Sequence, residues 1–293
     1  MSEAISYKLS SEQFEEFDSN GVIGPFDLFS ADEATELWTK KLRKSLLNRK
    51  DSVYPNSTLN YDRHLDIPEI QAIVSNPIIT QKLATIMGED LLCWRTEWFP
   101  KYPGDSGTEW HQAKRFFEFE NQPKLRPPEN AKEYFVLTVW IAFTDTTIEN
   151  GCMKVMPGSH KENWFFDESL EHKFEENGNS NANSGFYGYS WENLKVNKDW
   201  NPNEGNARSL EMKAGQFIIF TSKCLHGSHP NVSKNDTRFA MSARYVTPDV
   251  FVYEGMDSYA SLGEDLSLDK YSTLLVSGTD KFKRNRTRSP YLV

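Results

Sequence analysis

The residues best suited to chemistry lie in the run Thr108-Glu109-Trp110-His111-Gln112-Ala113-Lys114-Arg115-Phe116. Two histidines and one carboxylate make a facial triad that holds Fe(II) with positions left open, and in sequence such a set often begins His-x-Asp or His-x-Glu. Here the spacing is kept and Ala113 stands where the carboxylate would be. A second imidazole is available far downstream. His226 follows the apolar run Phe217-Ile218-Ile219-Phe220 and precedes Gly227, which permits a close backbone approach. His229 is its rival, but it precedes Pro230, which biases its backbone to extended geometry. His226 is therefore preferred as the partner of His111. His160, after Pro157-Gly158-Ser159, reads as a loop residue, and His64 as a surface or interface residue.

Twelve residues beyond His226, Arg238 opens a β-type run, where a guanidinium facing the metal would clamp the distal carboxylate of a keto acid. Arg244 has the same strand parity and so faces the same way. Two arginines turned into a cavity are costly unless anions offset them. The alternative for each is a partly buried structural arginine. An alanine cannot ligate a metal, so the place left by the missing carboxylate is open to another anion of similar charge. Chloride fits.

The elements that must position these groups are legible in outline. Ser10 or Ser11 caps a helix ending at Asn20-Gly21. Ser30-Ala31-Asp32-Glu33 has the form of a capping box, and Ala34, Leu37, Trp38 and Leu42 then recur at helical spacing. Further helices are expected around 67–74 and 78–87, split by Asn76-Pro77 and closed by Gly88. From Leu91 the pattern turns to short strands: 91–99, 135–143, 152–156, 217–220 and 238–246. The expected fold is mainly β with flanking helices, a double-stranded β-helix (jelly-roll, cupin-like) core. Residues 1–293 form a single domain in this reading: a helical flank over 1–90, a core over 91–248 and a C-terminal tail over 249–293. A polar insertion at 161–206, with Gly185-Phe186-Tyr187-Gly188-Tyr189 inside it, is expected to be a lid.

A net charge of −9 argues against nucleic acid as a partner, since phosphates need a basic surface. No apolar run reaches membrane-spanning length, and Met1–Ile5 lacks the basic and apolar regions of a secretory leader, so the expectation is a cytoplasmic protein. Cys93, Cys152 and Cys224 are an odd set and read as buried thiols.

Taken together, these residues carry a resemblance. From Phe99 to Val246 the chain resembles the phytanoyl-CoA dioxygenase-like branch of the Fe(II)/2-oxoglutarate oxygenases. Within that branch it is similar to the non-haem iron halogenases of nonribosomal peptide pathways, the syringomycin type. The likeness is dense at Phe99–Asp105, at Thr108–Ala113, at Thr138–Asp145 and at Asn150-Gly151-Cys152. It returns at Gly215–Phe220 and at Ser242–Val246.

The resemblance implies Fe(II), 2-oxoglutarate, O2 and chloride as cofactors, with bromide as an alternative halide. It implies His111 and His226 as metal ligands and Arg238, Thr108 and Trp140 around 2-oxoglutarate. Ala113, Phe116, Thr138, Ser222 and Arg244 would surround the halide. Glu118 stands where a relative carries a neutral amide, and it is expected to turn from the halide towards a substrate ammonium. The implied activity is chlorination of an aliphatic carbon of an amino acid held as a thioester on a peptidyl carrier protein, for natural-product (antibiotic) biosynthesis. The basic run 281–288 and the aromatic insertion are candidate contacts for that carrier. A halogenase of a free amino acid, a hydroxylase and a non-catalytic 2-oxoglutarate-binding protein are the competing readings.

Overall fold

The structure is a computed structural model and describes residues 6–113, 123–162, 199, 204–261 and 263–290. Its frame is a seven-stranded sheet in the order β1 (Val22–Asp27), β8 (Gln216–Thr221), β5 (Val136–Ala142), β10 (Ala240–Val246), β2 (Leu91–Trp98), β14 (Thr273–Ser277) and β15 (Thr287–Arg288). A four-stranded sheet faces it, in the order β3 (Thr108–His111), β9 (His226–Ser228), β6 (Met153–Val155) and β7 (Arg208–Leu210). Two ribbons complete the strands, β4 (Leu125–Arg126) with β11 (Phe251–Val252) and β12 (Ser258–Ser261) with β13 (Glu264–Ser267). All pairings in the large sheet are antiparallel except β14 with β15. This is the expected jelly roll.

Alternation sorts the side chains of the central strands. Along β5, Leu137, Val139 and Ile141 join the larger core outside the sheet, while Trp140 and Ala142 join a smaller core between the two sheets. The same split puts Ile219 outside and Ile218 and Phe220 inside on β8. The outer face is covered by helices α1 (Ser11–Asn20), α2 (Ala31–Glu36), α3 (Arg43–Leu47), α4 (Pro68–Val74) and α5 (Pro77–Met87). Their starts follow the sequence. Ser10 and Ser30 each form a reciprocal capping box, with Gln13 and with Glu33. Asn76 caps α5, whose buried Ile79, Leu83 and Met87 pack in the outer core. Between α2 and α3 the chain widens to a π turn over Leu37–Leu42, which keeps Ala34, Trp38 and Leu42 buried on one side.

Two expectations need correction. The 1–90 flank is not wholly helical, because β1 forms an edge of the large sheet by pairing with β8. Its Gly24-Pro25 hid it in the sequence, and an edge is where a strand tolerates proline. The 249–293 segment is not an appended tail. β14 pairs with β2, Tyr253, Tyr259 and Tyr271 are buried, and the Tyr271 hydroxyl donates to the Trp94 carbonyl at 2.6 Å. The basic run 281–288 largely holds that segment in place: Arg284, Arg286 and Arg288 donate to the carbonyls of Asp249, of Asp269 and Leu268, and of Leu65. Nearly all of the expected 161–206 lid lies outside the described residues. Cys93, Cys152 and Cys224 are buried free thiols, and among the described residues no helix is long and apolar enough to cross a membrane.

Candidate metal and co-substrate site

His111 and His226 meet across the small sheet. They are register partners of β3 and β9, and their ring centroids lie 4.1 Å apart at 52°. Gly227 makes this approach possible, since a Cβ there would lie 2.6 Å from the Thr108 carbonyl oxygen. Each imidazole is oriented by a backbone carbonyl: His111 Nδ1 lies 2.9 Å from Glu109 O, and His226 Nδ1 lies 2.8 Å from Cys224 O. A carbonyl only accepts, so both Nδ1 atoms carry the proton, and in a neutral ring Nε2 is then the atom whose lone pair can bind a metal. Burial, opposed by the Cys224 carbonyl and aided by Arg244, pushes the His226 pKa down to about 4. The ring is therefore neutral near pH 7, as a metal ligand must be.

Gln112 turns the other way and ties the strand end down, its Nε2 donating to the carbonyls of Lys223 at 2.6 Å and Glu162 at 3.0 Å. The next residue, Ala113, donates its N–H to the Ser222 carbonyl at 2.7 Å. The alanine is thus fixed two residues past His111, beside the loop that leads to His226. No group of three or more His, Cys, Asp or Glu side chains that could hold a metal occurs among the described residues. Two imidazoles with no third His, Cys, Asp or Glu beside them among the described residues suit a metal that brings its own anionic ligands.

Facing this pair, the large sheet presents a polar inner surface. Arg238 stands just before β10, 4% exposed, with Nη1 donating to the Gly151 carbonyl at 2.6 Å and Nη2 to that of Phe99 at 3.3 Å. Its guanidinium lies 5.2 Å above the Trp140 ring, a cation–π contact. Burial pushes its pKa down to about 10, so it stays charged. Thr108, half-buried, is the register partner of Ser228 and accepts from that hydroxyl at 2.9 Å. Trp140 is thus brought to Arg238, and Thr108, on the strand of His111, to the strand that carries His226.

Further along β10, Arg244 pairs in register with Thr138 on β5 and with Arg95 on β2. It forms a short ion pair with Glu97, whose other carboxylate oxygen accepts from Arg95 Nε at 2.6 Å. Burial pushes the Glu97 pKa up, but Arg244 and Arg95 outweigh it and hold the carboxyl down to about 2. This revises the expectation that ligand anions alone offset Arg238 and Arg244. Glu97 is the counter-charge of Arg244, and the triad keeps one net positive charge. Arg238 has no carboxylate partner among the described residues.

Among the described residues, Arg238 Nε, Ser222 Oγ and Ser242 Oγ are buried donors without a hydrogen-bond partner. Leaving each unmet costs about 1–3 kcal/mol. A dicarboxylate and a halide, both pure acceptors, would satisfy such donors, so the residues present fit 2-oxoglutarate and chloride as well as Fe(II). Glu97 and Ser242 escaped the sequence reading. The signal for Glu97 was its alternation with Arg95, which puts two charged residues on one face of the strand.

The other histidines lie elsewhere. His229 Nε2 contacts Ser209 Oγ at 2.9 Å, and His160 Nε2 contacts the Asp18 carbonyl at 3.1 Å. His64 is not a surface residue as expected. It is fully buried with Nδ1 3.0 Å from Thr96 Oγ1, and burial, with Arg288 adding to it, pushes its pKa down to about 3. Phe116 and Glu118 lie outside the described residues.

The family model for phytanoyl-CoA dioxygenase (PhyH) matches residues 17–240, which take in the histidine pair and Arg238. The chain belongs to the phytanoyl-CoA dioxygenase family. Among solved structures, CytC3 with Fe(II) and alpha-ketoglutarate is 32% identical with a TM-score of 0.75, over 97% of this chain and 94% of that one. The non-heme monooxygenase ThoJ, at 24% identity and a TM-score of 0.64 over 94% of this chain and 86% of that one, shares the fold. A phytanoyl-CoA dioxygenase domain-containing protein 1 homolog of Dictyostelium discoideum is 32% identical over 38% of this family member. A probable alpha-ketoglutarate-dependent hypophosphite dioxygenase of Stutzerimonas stutzeri is 25% identical over 73% of it. The matched stretches span 34% and 63% of those two relatives. The ectoine dioxygenase of Bordetella bronchiseptica is 22% identical, over 77% of this chain and 71% of its own length.

Proposed function

We propose that this chain is an Fe(II)- and 2-oxoglutarate-dependent halogenase. It would chlorinate an unactivated aliphatic carbon of an amino acid tethered to a peptidyl carrier protein, in cytoplasmic natural-product biosynthesis. The observation that carries the reading is Ala113. It is anchored to Ser222 beside two preorganised metal-binding imidazoles, at the place where a facial triad has its carboxylate.

His111 and His226 would hold Fe(II) through Nε2. Arg238, seated on Trp140, would clamp the distal carboxylate of 2-oxoglutarate, with Thr108 beside it. Ala113 would leave space for chloride, and Ser222, Thr138 and Arg244 would surround it, with Glu97 tempering the charge of Arg244. Phe116 and Glu118, outside the described residues, would stand near the halide and the substrate ammonium. When bound, Fe(II) supplies the oxygen-activating chemistry, with 2-oxoglutarate as the reductant. In the balanced reaction O2 is reduced, 2-oxoglutarate becomes succinate and CO2, and R–H, chloride and a proton become R–Cl and water. A hydroxylase is the second reading, favoured by the dioxygenase names of the hypophosphite and ectoine relatives.

The test uses protein loaded anaerobically with Fe(II), 2-oxoglutarate and chloride, offered a panel of aminoacyl carrier proteins and matching free amino acids before O2 is admitted. A carrier-bound product heavier by chlorine minus hydrogen, with stoichiometric succinate, is the expected result. A product heavier by one oxygen would replace the proposal with hydroxylation. Chlorination of the free amino acid alone would remove the carrier.

A further inference from the structure

Arg238 has a buried cation for a neighbour. Lys101 faces it in an isolated antiparallel bridge, the Lys101 N–H donating to Arg238 O at 2.8 Å and the Arg238 N–H to Lys101 O at 3.0 Å. Directly opposed residues of an antiparallel pair project to the same side. Lys101 therefore turns into the barrel with Arg238, and each is 4% exposed. Both side chains wrap the Gly151 peptide. Its carbonyl accepts from Arg238 Nη1, and a Cβ on it would collide with Lys101 Cδ. This position must be glycine for a second reason, since its φ is +88°.

The Lys101 ammonium has three donors, one of which goes to the Ser106 carbonyl at 2.5 Å. Among the described residues neither Lys101 nor Arg238 forms a salt bridge. The charged groups that face Lys101 are Arg238 and Asp105, and Asp105 is engaged by the Tyr102 N–H at 2.7 Å. Burial first, then Arg238, push the lysine pKa down to about 8 against the pull of Asp105. Asp105 draws on both cations without a salt bridge to either, and two adjacent buried cations so weakly compensated are unfavourable unless an anion joins them.

We propose that Lys101 is the second cation of a dicarboxylate subsite, where it and Arg238 together receive the distal carboxylate of the co-substrate. The proposal rests on the reading of Arg238 as the 2-oxoglutarate-binding arginine. It gives Lys101 a positioning and affinity role and assigns it no part in bond making.

Anaerobic calorimetric titration of the Fe(II)-loaded protein tests it, with 2-oxoglutarate and with pyruvate, which lacks the distal carboxylate. Lys101→Met should weaken 2-oxoglutarate binding roughly tenfold or more, the size of a lost charge-assisted contact, and leave pyruvate binding unchanged. Lys101→Arg, which keeps the charge, should keep most of the affinity, and thermal melts of both variants report folding. An anion holds the proton on Lys101, so 2-oxoglutarate affinity should be full below pH 8 and fall as the free protein loses that proton above it. Lys101→Met should lose this fall. Wild-type affinity and pH dependence in Lys101→Met, or an equal loss for pyruvate, would overturn the proposal and leave Arg238 in its role. Equal 2-oxoglutarate binding by wild type and Arg238→Met would instead remove the reading on which it rests.

Discussion

Aspartate at position 113 is expected to abolish chlorination and to remove the dependence of turnover on chloride. The new carboxylate would complete the triad with His111 and His226 and occupy the place of the halide. If chloride still approached within about 4 Å, the two negative charges would repel by about 4 kcal/mol at an effective dielectric of 20. That corresponds to a loss of chloride affinity of about a thousandfold. Ala113 is half-buried and held through its backbone N–H, so the substitution changes no core packing and the fold should survive. Chloride titration of succinate formation and product mass reads both effects. Unchanged chlorination by Ala113→Asp would show that the halide binds elsewhere.

The second large effect is expected at Arg238, where binding and stability should move in opposite directions. Arg238→Met removes a buried cation with no carboxylate partner among the described residues. Truncating one side of a buried charge pair costs about 2–5 kcal/mol of affinity, so 2-oxoglutarate binding should weaken about thirtyfold or more. Without co-substrate the protein gains by no longer burying that charge, and forfeits the contacts to the Gly151 and Phe99 carbonyls. Its melting temperature should therefore equal or exceed that of the wild type. On adding 2-oxoglutarate the wild type should melt higher, because a ligand that binds only the folded state stabilises it, whereas the variant should need at least about thirtyfold more co-substrate for the same rise. A variant that melts far lower without co-substrate, yet keeps its 2-oxoglutarate response, would make Arg238 a structural residue.

Legibility in the sequence followed the range of the interactions. Capping boxes at Ser10 and Ser30 are local, and both were readable residue by residue. The apolar centres of β2, β5, β8 and β10 were readable because buried strands are dense in β-branched and aromatic residues. β1 was missed because Gly24-Pro25 interrupts its pattern, and β14 because a short strand late in the chain looks like a loop until β2 is known to be its partner.

The candidate site divides in the same way. His111 and His226 could be paired from strand-end position, Arg238 placed from its spacing after His226, and Arg244 from strand parity. Glu97 could not be paired with Arg244, nor Lys101 with Arg238, until the register of distant strands was fixed. His64 was misplaced for the same reason. Its burial is decided by β2, through Thr96, and nothing in its neighbours Tyr61-Asp62-Arg63 carries that information.

In the proposed reaction the space beside Ala113 holds the halide that ends on carbon. The most direct measurement is the mass of the product when the same loaded protein and aminoacyl carrier protein turn over in chloride and then in bromide. A product that carries chlorine in the first buffer and bromine in the second, in place of one hydrogen, is the result predicted. A product that gains one oxygen in both, with succinate formed at the same rate whether or not halide is present, would contradict it.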